Sequence, residues 1–174
     1  MPSILDGTDG FSTSFMGKIV NVVSTHLTTG QSQIISSQTK TQIANLSASI
    51  TPQSVNSKIL ILAQWSGEIS GPGPHDTMFG LQRGTTDLGM PNSPSNRNAG
   101  IMPCAINYMS DVNSTLESCN FIYLDSPATT SSTTYTMTFE GYSAATLYTC
   151  RTVNDGDYNY VERTASTITL IEIL

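Results

Sequence analysis

Apolar and polar residues alternate with a period of two along most of the chain, which is the pattern of half-buried β-strands. Lys18 to Thr25 is rich in Val and Ile and predicts a strand after Gly17. A polar stretch from Thr28 to Thr41 follows, broken only by Ile34 and Ile35. Leu46, Ala48 and Ile50 then alternate with Ser47 and Ser49, and Thr51-Pro52 ends that strand. The most apolar run, Ile59 to Trp65, sits within Ser57 to Ile69 and predicts a strand covered on both faces.

Gly71-Pro72-Gly73-Pro74 is a loop by backbone chemistry alone. Thr77 to Arg83 predicts the next strand, Gly84 to Asp87 a turn, and Leu88 the start of a return strand. Met90 to Gly100 reads as a long loop with two prolines. Met102, Cys104, Ile106 and Tyr108 alternate on a further strand. On Leu116 to Leu124, Cys119, Phe121 and Tyr123 face one way, until Asp125-Ser126-Pro127 breaks the strand. Tyr135, Met137 and Phe139 mark another, and Tyr148 and Cys150 share a face on the next. Val153 to Tyr160 is an Asn/Asp/Gly/Tyr loop. In the last strand Ile168, Leu170 and Glu172 alternate with Thr167, Thr169, Ile171 and Ile173. About eight strands without an internal repeat predict an all-β fold, a jelly-roll-like antiparallel β-sandwich over residues 17–174.

Residues 1–16 have no period and read as a short extended N-terminal arm. The arm is either a frayed terminus or an anchor in which Phe11, Phe15 and Met16 pack on another subunit.

Composition sharpens this picture. Roughly a quarter of the 174 residues are Ser or Thr and only 11% are charged, where about 25% is usual, so the sandwich has a neutral polar skin. The net charge of −6, without a Lys/Arg cluster, excludes nucleic acid as an expected partner. No segment approaches the ~20 apolar residues of a membrane span, and the start of the chain has no secretory pattern. Three cysteines without CxxC spacing predict small buried side chains rather than a disulfide framework.

Catalytic motifs are missing: there is no GxSxG, HExxH or GxxxxGK[ST]. His26 reads as a surface or strand-end residue. His75 neighbours Asp76, but adjacent strand residues point to opposite faces, which argues against an oriented base. Glu68, Glu117, Glu140 and Glu162 lie on or near strands, and a hydrolase would need two of them facing across about 5 to 9.5 Å. Asn154-Asp155-Gly156-Asp157 reads as a solvated turn rather than a calcium loop. No metal or cofactor is expected.

Several segments, taken in order, resemble a β-sandwich module of tailed-bacteriophage virion proteins, often seen in marine and cyanobacterial phages. They are Gly17–Val23, Ile50-Thr51-Pro52 leading into Ser57–Ile61, Leu81–Gly89, Leu124–Thr130 running into Thr134-Tyr135, and Ser166–Ile173. The resemblance implies a non-enzymatic virion protein, typically a homotrimer, of the kind found in capsid decoration (cement) proteins, head fibres and tail-fibre tips. In long tail fibres such a module ends a larger chain. The roughly 16 residues before it here favour a capsid decoration protein or short head fibre.

The expected partners are two further copies, the major capsid protein or neighbouring virion subunits, and, for outward loops, a host surface glycan or protein. The alternative is the receptor-binding tip of a tail fibre. The expected location is the virion surface after assembly in the host cytoplasm. Under either reading His75, Arg97, Tyr158 and Tyr160 are the candidate outward contacts, carried on the loops 71–76, 90–100 and 154–160.

Overall fold

The computed structural model describes residues 17–70, 76–92, 97–104 and 113–174. Among them there are eleven strands and no helix. The first sheet runs β1 (Ile19–Leu27), β11 (Ser166–Ile173), β4 (Lys58–Ser70) and β8 (Glu117–Asp125). β4 is longer than β11, and beyond its end β10 (Ala145–Thr149) pairs with the same edge of β4 and with β2 (Gln31–Ile35). The second sheet runs β3 (Thr41–Ile50), β9 (Thr133–Gly141) and β5 (Thr77–Arg83), with β6 (Thr86–Leu88) and β7 (Met102–Pro103) both on the free edge of β5.

Every pairing is antiparallel. The chain passes back and forth between the sheets, with β3, β5 and β9 in one and β4, β8 and β11 in the other. The result is the expected all-β, jelly-roll-like sandwich.

The alternation read from the sequence sets the core. Ile59, Ile61, Trp65, Ile168 and Leu170 of the first sheet meet Leu46, Leu81, Tyr135, Met137 and Phe139 of the second, all buried. Trp65 lies 4.8 Å from Phe79, which meets Phe139 edge-on at 5.2 Å. The Trp65 indole N–H is satisfied by Thr149 Oγ1 at 3.0 Å, as a buried donor must be. Gly67 is required by a close approach: a Cβ there would fall 1.9 Å from the carbonyl oxygen of Tyr148 on the paired strand.

The two ends of the sandwich differ. At the near pole lie Lys18, Lys58, Asp125 and Leu174, where Lys18 and Leu174 exchange both backbone hydrogen bonds at 2.9 Å. Asp125 stitches the sheets together here, accepting from Tyr135 Oη and Arg83 Nη1, each at 2.7 Å. At the far pole lie Ile35, Ser70, Asp76 and Gly141.

The structure corrects several details. The polar stretch 28–41 contains β2, with Ile35 fully buried. Its glutamines close the edge of the sandwich: Gln31 and Gln33 bond the backbone of Ala44 and Gln42, where β3 bulges and Asn45 has φ 61°. The strand read over Met102 to Tyr108 is described only as Met102–Pro103, since 105–112 lie outside the described residues. Cys150 does not share a face with Tyr148. Its φ of 63° breaks the alternation and buries its thiol against the Leu27 carbonyl, while Tyr148 stays half-buried. The Ile59–Trp65 run is not covered on both faces, because Leu62 and Gln64 face outward uncovered.

Candidate functional site

The outer face of the first sheet carries the largest set of uncovered apolar side chains on adjoining strands. Strand register aligns Val22, Ile171, Leu60 and Leu124 in one row and Ser24, Thr169, Leu62 and Ile122 in the next. His26, Thr167, Gln64 and Asn120 form a third, polar row. Ile122 is 67% exposed, Val22 56% and Leu124 53%. The polar part is ordered by Ser24 Oγ with Thr169 Oγ1 at 2.8 Å and His26 Nδ1 with Thr167 Oγ1 at 3.0 Å. An open depression of about 480 Å³ lies between Leu62, Gln64, Ile122 and Thr169. His26 is thus an exposed side chain on this face, as expected.

At the far pole two adjoining depressions of about 460 and 470 Å³ share Arg97, Asn98 and Tyr142 in their walls. Asp76, Met78 and Pro103 complete one, and Gln38 and Glu140 the other. Four separate segments are braced here. Tyr142 N–H donates to Asp76 O at 3.0 Å, and Ser37 Oγ donates to Tyr142 O at 2.7 Å. Gln38 N–H donates to Gly141 O at 2.8 Å, and Asn98 Nδ2 to Asp76 O at 3.3 Å. The Tyr142 ring remains 59% exposed above these fixed backbone atoms.

The loop after β10 is built around arginines. Arg151 lies over the Tyr148 ring, donates to the carbonyls of Thr152 and Val153, and pairs with Asp155 at 3.1 Å. Arg163 also pairs with Asp155, and this hydrogen bond, with the charges of both arginines, holds the Asp155 carboxyl below its ordinary range. Asn154 Oδ1 accepts from Gly156 N–H at 3.0 Å, so a side chain closes the turn at 154–156. On this loop Tyr158 and Tyr160 stack at 5.2 Å with nearly parallel rings, both more than half exposed.

The candidate contacts therefore separate. Arg97 lines the far-pole depressions with Tyr142, whereas Tyr158 and Tyr160 form their own stack on the 151–163 loop. Phe11, Phe15, Met16 and His75 lie outside the described residues. Reading the sequence did not single out Tyr142 or Gln38, held Asn98 only within the 90–100 loop, and weighed Glu140 only as a hydrolytic carboxyl. The available signal was a tyrosine in the Gly141-Tyr142-Ser143 turn, where no strand alternation accounts for it.

The glutamates act as clamps on backbone amides. Glu68, nearly fully buried, accepts from Val153 N–H at 2.6 Å, and Glu162 accepts from Leu116 N–H at 3.1 Å. Glu117 accepts from Ile69 N–H at 2.9 Å. Burial, with a smaller contribution from the charge of Glu68, pushes its carboxyl up to about 7. Glu172 is fully buried; its Oε1 accepts from Gln53 N–H and Ser57 Oγ, each at 2.6 Å, which pins the turn between β3 and β4. Cys119 and Cys150 are buried and Cys104 half-buried, all as free thiols. Burial pushes the Cys119 thiol up to about 12 and raises that of Cys104 as well. Among the described residues no group of His, Cys, Asp and Glu could hold a metal, and no helix could cross a membrane. No family model matches the chain, and no curated protein matches it.

Proposed function

We propose that this chain is a non-enzymatic structural protein of a bacteriophage particle, a capsid decoration protein or short head fibre that assembles as a homotrimer. One observation carries the assembly: the uncovered apolar rows on the outer face of the first sheet. Four strands at about 4.8 Å spacing and seven residues at about 3.4 Å give a face of roughly 400 Å² in plan. Side-chain relief raises its accessible area toward the ~800 Å² that each partner of a stable complex buries. Within that face Val22, Ile171, Leu60, Leu124, Leu62 and Ile122 form one contiguous apolar patch, which supports an interface there. Two further copies of this chain are the occupants that fit, because the same apolar rows recur on each copy and a closed symmetric ring covers all of them. The phage assignment and the three-fold order rest on the segment resemblance described above.

In this reading the arm, with Phe11, Phe15 and Met16, docks on the major capsid protein or a neighbouring virion subunit. The −6 charge and the neutral skin fit a protein that contacts neither nucleic acid nor a membrane interior. Sedimentation at micromolar concentration should give about three times 18.6 kDa. Ile122→Asp combined with Leu62→Asp should give a folded monomer of 18.6 kDa. A wild-type chain that stays folded and monomeric refutes the assembly. Antibody labelling of phage particles tests the location, and label absent from the particle surface refutes it.

A second reading, the receptor-binding tip of a tail fibre, is favoured by the far-pole depressions, which open at the end of the sandwich away from Lys18.

A further inference from the structure

We propose that the far-pole cleft is a binding subsite for a neutral saccharide. The proposal rests on the receptor-tip reading of this same site and specifies its ligand class.

A pyranose presents an apolar C–H face and an edge of hydroxyls that both donate and accept. A site for it needs an exposed flat ring beside a mixed set of planar polar groups. Tyr142 supplies the ring. It sits in the tight turn between β9 and β10, and its backbone is held from both sides, through its N–H on Asp76 O and its carbonyl on Ser37 Oγ. A ring on a fixed backbone loses little freedom when it is covered, which is why tyrosine dominates rigid recognition surfaces. The polar groups come from either side of it. Asn98 offers a donor, Asp76 and Glu140 acceptors, and Gln38 both, with Arg97 beside them in the wall.

Gln38 closes the wall beside Tyr142. It holds the left-handed conformation at φ 51°, and its N–H is tied to Gly141 O beside the Tyr142 turn.

Charge selects the class. Among the described residues the cleft counts one cation, Arg97, against two carboxylates, Asp76 and Glu140, on a chain of net charge −6. A sialylated, uronic or phosphorylated sugar would meet net repulsion, whereas a neutral one can use both signs.

Saturation-transfer NMR on the full chain tests this, with the methyl glycosides of glucose, galactose, mannose, rhamnose and N-acetylglucosamine as probes and N-acetylneuraminic acid as the anionic comparison. The expected result is transfer to at least one neutral glycoside, strongest on the protons of one ring face. It should be lost in Tyr142→Ala and kept in Tyr142→Phe. No transfer to any neutral probe overturns the proposal. So does transfer undiminished in Tyr142→Ala, or stronger transfer to N-acetylneuraminic acid than to every neutral probe. Sedimentation of the same samples reports assembly separately. A trimer that takes no sugar sinks this inference alone, and a monomer that takes sugar sinks the assembly alone.

Discussion

Glu117 stands at the start of β8 with its carboxyl buried, one backbone amide for a partner and the charge of Glu68 nearby. Its folded pKa of about 7 lies above the ordinary 4.5, so the fold favours the neutral acid. The sign follows from linkage. Stability from this group is fully present below about 4.5, falls as the pH rises toward 7, and levels off above that. The gap of 2.5 pH units at about 1.4 kcal/mol each sets a ceiling of about 3 kcal/mol, and screening by nearby water lowers the expectation to about 2 kcal/mol.

Glu117→Gln keeps an oxygen for Ile69 N–H and cannot ionise. It should therefore stabilise the protein by about 2 kcal/mol at pH 8 and leave it within about 0.5 kcal/mol of wild type at pH 4. Urea unfolding of both proteins at the two pH values, at one protein concentration, measures the difference of differences. Other titrating groups and the assembly equilibrium are common to both proteins and cancel. An equal effect of the substitution at both pH values would show that Glu117 is already ionised without cost, and the reasoning would fail.

Gly67→Ala should cost more than about 3 kcal/mol or prevent folding, because the new methyl meets the Tyr148 carbonyl backbone rather than a movable side chain; a Tm within a few degrees of wild type refutes this. The three thiols should resist a disulfide reagent at pH 8 in the native protein and react fully in urea, given their burial and the raised thiols of Cys104 and Cys119. Rapid native labelling of any one would contradict the packing.

The strands that could be read from the chain were those whose inward positions are uniformly apolar. Tyr135, Met137 and Phe139 fill one side of β9, and Ile168 and Leu170 do so on β11. β2 escaped notice because Gln31 and Gln33 serve the bulge of β3, a tertiary task that leaves no period in the sequence. The two-sided look of Ile59–Trp65 was informative in a different way: its second face carries Leu60 and Leu62, yet none of the described residues covers Leu62. Glu172 occupies an inward position that the alternation marks correctly, but its role as a turn clamp depends on Gln53 and Ser57, which no spacing rule links to it. The far-pole cleft was the least legible. Its walls come from residues 38, 76–78, 97–98, 103, 140 and 142, which only the fold brings together. Arg97 could be named from its loop, but its companions could not.

The reciprocal pairing of Lys18 with Leu174 gives the module a single stem. Anything joined through either residue leaves from the same side, opposite the Tyr142 turn. The two poles are separable, since a change in the turn at residues 141–143 touches neither the stem nor the apolar rows. On the proposed virion reading, a foreign peptide placed in that turn would stand farthest from the stem. A fusion after residue 174 would instead emerge beside the arm, in competition with whatever the stem is fastened to.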